Sequence, residues 1–137
     1  MSKHINATKE AIAQFTTQFK SDEPVVMLNL LKYKEVADYT NYPDLNPGKN
    51  ISGEKAYQIY MKHTQPYLQK LGAEVVFIGK SNQYIIGPED ESWDLTLIVK
   101  YPDVMKFYVL LQNADYKKTA GHRSAALEDS RLLPMKG

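Results

Sequence analysis

A chain of 137 residues is sized for one domain, and at that length it buries roughly two-thirds of its unfolded surface, enough for a core without staples. Cysteine is absent, which excludes disulfides, thiolate metal sites and a cysteine nucleophile. The net charge of +1 sets up no field that would gather nucleic acid or anionic lipid, so neither a nucleic acid nor a membrane is expected as a partner.

The amino terminus, Met1-Ser2-Lys3-His4-Ile5-Asn6, has no apolar signal-like core. No apolar run approaches the ~20 residues that cross a bilayer. The expectation is a soluble, cytoplasmic protein. Tyrosine is abundant, at 10 residues, and several tyrosines fall on predicted core faces. A buried tyrosine needs a partner for its hydroxyl, so these side chains suit a half-polar cavity.

Thr8 to Lys20 reads as an amphipathic helix with Ile12, Phe15 and Phe19 at helical spacing and Asn6 or Thr8 as cap. Pro24 opens Val25-Val26-Met27-Leu28-Asn29-Leu30-Leu31, apolar on both alternating faces, the pattern of a strand covered on both sides. Glu35 to Ser52, with Asn41, Pro43, Asn46, Pro47 and Gly48, reads as a long loop. Gly53 to Leu71 is a helix whose inner face is Tyr57, Tyr60, Met61, Thr64, Leu68 and Leu71. Gly72 is its left-handed stop and Pro66 lies inside it. Glu74 to Ile86 reads as a long strand with a bulge at Gly79, then an acidic turn over Gly87 to Ser92, then a strand over Trp93 to Tyr101. Asp103 caps a helix carrying Val104, Phe107, Tyr108 and Leu111. A short helix over Asp115 to Ala120 is ended by Gly121, and Ala126 to Leu133 is the last strand, closed by Pro134.

After the leading helix the order is strand, helix, strand, strand, helix, strand. That is the ferredoxin-like arrangement, an α+β antiparallel sheet with helices on one face. The strands are apolar on both faces, so the second face needs a cover. The expected cover is an identical sheet, giving a homodimer through sheet faces, a dimeric α+β barrel.

Several stretches also resemble one known family. Pro24-Val25-Val26-Met27-Leu28-Asn29-Leu30-Leu31-Lys32-Tyr33 is similar to its first strand, and Gly87-Pro88-Glu89-Asp90-Glu91-Ser92-Trp93-Asp94 to its acidic turn and third strand. Tyr101-Pro102, a following helix with Phe107, His122-Arg123 and Ala126-Leu127-Glu128-Asp129-Ser130-Arg131-Leu132 resemble the rest of its pattern. The family is the domain of unknown function 1330, within the dimeric α+β barrel superfamily, and the resemblance runs from about Asp22 to Met135. It implies the fold and a dimer. It implies no settled activity, because superfamily relatives include cofactor-free monooxygenases, isomerases, haem enzymes and plain binders. Residues 1–22 are expected to form an N-terminal helical extension and residues 23–137 the barrel domain, with the Glu35–Ser52 loop a variable part.

Six residues are candidates for a site: Asn29, Tyr60, Trp93, Asp94, His122 and Arg123. Asn29 is the one amide in an apolar strand, and it either bonds to neighbouring backbone or serves as a polar hook on a pocket floor. Tyr60, His63 and Tyr67 share one edge of their helix. Tyr60 is either ordinary core or pocket wall, and His63 reads as an exposed flank. Trp93 reads as a packing anchor. Asp94 pairs with Arg123 or Arg131, or orients His122. His122 has the pKa suited to proton transfer, and Arg123 the planar fork suited to a carboxylate or phosphate. The alternative for Arg123 is an ion pair with Asp94, Glu128 or Asp129. Ser130, His122 and Asp129 carry the letters of a hydrolase triad, but adjacent strand residues point to opposite faces and no nucleophile elbow surrounds the serine. Glu89-Asp90-Glu91 reads as a solvated turn. His4, His63 and His122 show no metal-ligand spacing, and no phosphate or dinucleotide glycine motif is present. Neither a metal nor a cofactor is expected.

Three readings of function follow. The first is a homodimeric binder of a small anionic or aromatic molecule, with Arg123 on the anionic group and Asn29, Tyr60, Trp93 and Asp94 around it. The second is a cofactor-independent monooxygenase or isomerase acting on an aromatic or lactone substrate. There His122 moves a proton, Arg123 or Asn29 steadies an oxyanion, and Tyr60 or Trp93 stacks on the ring. The third is a structural dimer in which the same charges only fasten the subunits.

Overall fold

A computed structural model describes residues 3–137. Thr8 starts helix α1 (Lys9–Gln18) by accepting a hydrogen bond from Ala11 N at 3.1 Å. Strand β1 (Val25–Tyr33) follows, then a loop containing one 3₁₀ turn at Pro43–Leu45. Ser52 caps the long helix α2 (Gly53–Leu71), and Gly72 ends it in the left-handed conformation at φ 76°. Strands β2 (Glu74–Lys80) and β3 (Leu95–Tyr101) come next. Asp103 caps helix α3 (Val104–Gln112), and two short helices, α4 (Ala114–Thr119) and α5 (Gly121–Ala126), lead into strand β4 (Leu127–Lys136).

The four strands form one antiparallel sheet in the order β2-β3-β1-β4. Val25, Met27 and Leu31 on β1 and Leu97, Val99 and Tyr101 on β3 are buried. Their period of two puts them all on one face. Against that face α2 sets Ala56, Tyr57, Tyr60, Thr64 and Leu68, and α3 sets Val104, Phe107 and Leu110. This is the ferredoxin-like α+β fold, with α1 in front of it. Phe15 of α1 meets Phe107 of α3 edge-on at 5.7 Å between ring centroids, so the leading helix docks on the helical layer. No helix among the described residues is long and apolar enough to cross a membrane.

Several boundaries differ from the sequence reading. β2 stops at Lys80 rather than Ile86. β3 begins only at Leu95, so residues beyond Lys80 have no ladder to join, and Ile85 and Ile86 are left exposed. The bulge lies at Val76, where the register shifts between Val75 and Phe77, and not at Gly79. Gly79 sits beneath the Phe77 ring, which a β-carbon there would meet at 2.8 Å. On α3 Leu110 is buried beside Val104 and Phe107, while Tyr108 faces solvent. Gly121 does not end a helix but opens α5, whose small residues allow close packing: a β-carbon at Gly121 would meet the Tyr42 ring at 2.5 Å. β4 runs through Pro134 to Lys136 instead of closing there. A proline is tolerated on an edge strand, where alternate N–H groups point away from the sheet.

The tightest junction is at Gly53. Its N–H donates to Lys34 O at 3.0 Å, and Lys34 N–H donates to Ala126 O at 2.8 Å. A β-carbon on Gly53 would lie 2.3 Å from Lys34 O and 2.5 Å from Ala126 O, both of them backbone atoms held by these bonds. Gly53→Ala should therefore destabilise the protein by about 2–3 kcal/mol through overpacking. Urea denaturation checks this: the midpoint should fall with the slope unchanged, and a midpoint equal to wild type would show that the junction yields.

Candidate functional site

A cavity of about 810 Å³ lies between the inner face of the sheet and the helical layer. Its floor includes Asn29 on β1 and Leu97 on β3, which are register partners. One wall is the inner stripe of α2, where Tyr57, Tyr60, Met61, Thr64 and Leu68 recur at helical spacing. Another comes from α3, α4 and α5, with Phe107, Tyr116 and Arg123. The remaining side is closed by the segment from His4 to Phe15.

That N-terminal segment is fastened by polar contacts to the far end of the chain. Arg123 Nη1 donates to Ile5 O at 2.6 Å, and Ser130 Oγ donates to His4 O at 2.6 Å. His4 N–H donates to Asp129 Oδ1 at 2.8 Å, and Lys3 pairs with Glu128. The Lys3 ammonium, with Lys34 behind it, holds the Glu128 carboxyl below its usual range. Burial works to raise Asp129, but the His4 and Ser130 N–H groups and Arg131 outweigh it and leave its carboxyl lowered.

Three of the six residues singled out by sequence line the cavity: Asn29, Tyr60 and Arg123. Asn29 bonds to neighbouring backbone, its Nδ2 donating to Leu97 O at 3.1 Å. Tyr60 shares a hydroxyl–hydroxyl bond of 2.7 Å with Tyr116. Arg123 takes none of the expected carboxylate partners; it contacts Ile5 O and, at 3.4 Å, Ser130 Oγ, and forms no ion pair among the described residues. Asp, Glu and their charge are missing from the cavity lining, which carries Arg123, Arg131 and Lys117. Burial, with neighbouring tyrosines, pushes the phenols of Tyr57, Tyr101 and Tyr116 up. They stay neutral near pH 7 and act as hydroxyl donors and acceptors rather than bases.

The other three candidates lie off the cavity lining. Trp93 is buried, donates to the Tyr84 hydroxyl at 2.6 Å, and lies under the Arg131 guanidinium at 5.0 Å. Arg131 itself is neutralised by Asp129 at 2.6 Å and Glu91 at 3.6 Å. The Glu91 carboxylate also accepts from Tyr84 at 2.6 Å, so the acidic turn is tied down at Glu91. Asp94 pairs with neither arginine and does not orient His122. Its Oδ2 accepts from Tyr33 N–H at 2.8 Å and its own N–H donates to Leu31 O, so it closes the end of the β1–β3 pairing. Its charge, with that of Glu54, adds to burial in pushing the Tyr33 phenol up to about 12.

His122 is buried behind the cavity wall. Its Nδ1 lies 2.7 Å from the Tyr39 hydroxyl, and its ring stacks on His63 at 5.7 Å with an 8° interplanar angle. The triad letters do not assemble, since Ser130 bonds to His4 O and Arg123. Sequence reading gave no site role to Tyr39, Thr64, Tyr116 or Ile5. Tyr39, Tyr116 and Ile5 come from segments without a diagnostic period. Thr64 had a signal, as a small polar side chain four residues after Tyr60 within the inner stripe of α2.

Burial first, and the stacked His63 second, lower the pKa of His122 from its ordinary value near 6.5. The unfolded chain therefore takes up this proton more readily than the folded one. The associated stability is intact above about pH 6.5 and is lost as pH falls toward the depressed folded value. We expect the melting temperature to drop between about pH 6.5 and pH 5 in wild type and to drop less in His122→Gln, measured by calorimetry across that window. Parallel profiles would remove His122 as the cause.

The solved structures of an RPA0582 protein are similar along the whole chain. A methylated form is 36% identical, covers 100% of this chain and 96% of its own, and superposes with a TM-score of 0.88. A second, described as a protein of unknown function from Rhodopseudomonas palustris, is 35% identical over 99% and 98% of the two chains, also with a TM-score of 0.88. A dimeric protein of unknown function and ferredoxin-like fold from Bacteroides fragilis shares 9% identity over 83% of this chain and 96% of its own, with a TM-score of 0.51, a likeness of fold alone. No curated protein matches. Residues 49–136 match the family described as Domain of unknown function (DUF1330), a stretch that takes in α2, the α3–α5 helices, three of the four strands and the Arg123 wall of the cavity, and the chain belongs to that family.

Proposed function

We propose that this protein is a homodimeric small-molecule binder whose ligand is a compact organic anion held between sheet and helices. The observation that carries the reading is Arg123: a guanidinium on the wall of an 810 Å³ cavity, with no ion pair among the described residues and no carboxylate in the lining. The volume lies within the roughly 300–1,000 Å³ of small-molecule sites. Two of the five guanidinium N–H groups are engaged by Ile5 O and Ser130 Oγ, which orient the fork and leave donors for a carboxylate. Tyr57, Tyr60, Tyr101 and Phe107 supply aromatic wall. On this reading the N-terminal extension completes the pocket through its residues from His4 to Phe15. The proton-transfer alternative has less behind it, because His122 is engaged by Tyr39 and is not among the lining residues.

Thermal-shift titration of wild type and Arg123→Gln with small aromatic carboxylates, lactones, quinones and haem tests the proposal. A ligand at a hundred times its Kd adds about 2.7 kcal/mol, which raises Tm by several degrees in a domain of this size. Carboxylates should shift wild type and not the variant. A panel without effect on wild type would overturn the reading.

The homodimer rests on the second face of the sheet. Val26, Leu28 and Leu30 of β1 alternate with the inner residues, and Ile98, Leu133 and Met135 lie opposite them across the register. Phe77 and Leu133 are each 54% exposed. This largely apolar sheet face, interrupted by Thr96, Lys100 and Arg131 across the register, is costly to leave in water and fits a copy of itself, and a Bacteroides fragilis protein of similar fold is described as dimeric. In sedimentation-velocity runs wild type should move as a dimer, and Phe77→Glu/Leu133→Glu as a folded monomer by circular dichroism. A monomeric wild type at micromolar concentration would overturn the pairing.

A further inference from the structure

Thr64 has a buried hydroxyl with no hydrogen-bond partner in the structure. The residue is 2% exposed and lines the cavity. Threonine hydroxyls in helices ordinarily bond back to a carbonyl in the preceding turn, and this protein follows that habit elsewhere. Thr16 donates to Ala13 O at 2.9 Å, Thr17 to Gln14 O at 2.8 Å and Thr119 to Tyr116 O at 3.3 Å. Thr64 departs from it, and a buried unsatisfied hydroxyl calls for a reason.

The position of Thr64 relative to Arg123 supplies one. Arg123 on α5 and Thr64 on α2 line the same cavity from different helices, and the Arg123 guanidinium is held by Ile5 O and Ser130 Oγ. The same lining carries the apolar side chains of Met61, Leu97, Val99 and Phe107.

We propose that Thr64 is a second polar anchor of the same pocket, so that the ligand is an acid carrying a hydroxyl or carbonyl set apart from its carboxylate by an apolar spacer. The inference deepens the small-molecule reading and rests on it. Arg123 takes the carboxylate, the apolar walls take the spacer, and the Thr64 hydroxyl donates to, or accepts from, the distal oxygen. A plain hydrophobic acid of the same length leaves Thr64 unsatisfied and binds less well.

Isothermal titration of the full chain with phenylalkanoic acids and their para-hydroxylated counterparts, through increasing chain length, tests this. At the length that spans the gap, the hydroxylated acid should bind wild type roughly five- to tenfold more tightly, the worth of one good hydrogen bond. The preference should vanish in Thr64→Val, where the two acids bind alike, and persist in Thr64→Ser, which keeps the hydroxyl. Arg123→Gln should weaken both acids. Equal affinity for the two acids at every length, or a preference that survives in Thr64→Val, would overturn the second anchor and leave the Arg123 reading standing. Failure of every acid to bind wild type would overturn both.

Discussion

The first residue of α2 touches the end of β1, and the end of β1 touches the close of α5. Two backbone hydrogen bonds, Gly53 N–H to Lys34 O and Lys34 N–H to Ala126 O, draw three chain segments together so closely that only a hydrogen fits on the α-carbon of Gly53. From that point α2 runs across the sheet and fixes the stripe of Tyr57, Tyr60 and Thr64. The same point sets where α5 ends and therefore where Arg123 stands. A cavity wall built from two separate helices holds its geometry only if the helices share an anchor, and backbone atoms make a stiffer one than side chains.

The site is closed by residues distant in sequence. Ile5 and His4 offer backbone carbonyls to Arg123 and Ser130, more than a hundred residues further along the chain. A carbonyl lends partial negative charge without the full charge of a carboxylate, so Arg123 is oriented without an ion pair among the described residues. That distinguishes it from Arg131, which Asp129 and Glu91 neutralise and which lies against Trp93. Two arginines of the cavity lining thus have different electrostatic standing, one tied to carboxylates and one without an ion pair among the described residues.

Much of the fold was legible because it follows from period and punctuation. The inner stripe of α2, its stop at Gly72, the caps at Thr8 and Asp103 and the alternation along β3 are all local signals, and each appears where those signals put it. What was not legible depends on pairing across the chain. β2 ends where β3 gives it no partner, and β4 passes through Pro134 because it is an edge, which no window of sequence reveals. The site divides the same way. Asn29 and Tyr60 were found from their places in regular elements. His122 stood in a suggestive motif, yet the fold turns it toward Tyr39 in a loop without periodicity. Asp94 looked like an orienting carboxylate and instead completes a backbone ladder.

Both free borders of the sheet are irregular. On one side the extra residue at Val76 breaks the even spacing of β2, and on the other Pro134 removes a donor from β4. A strand arriving from another molecule would meet an interrupted row of hydrogen-bonding groups at either border. Lateral addition of strands, the route by which exposed sheets grow into fibres, is thereby obstructed at both borders.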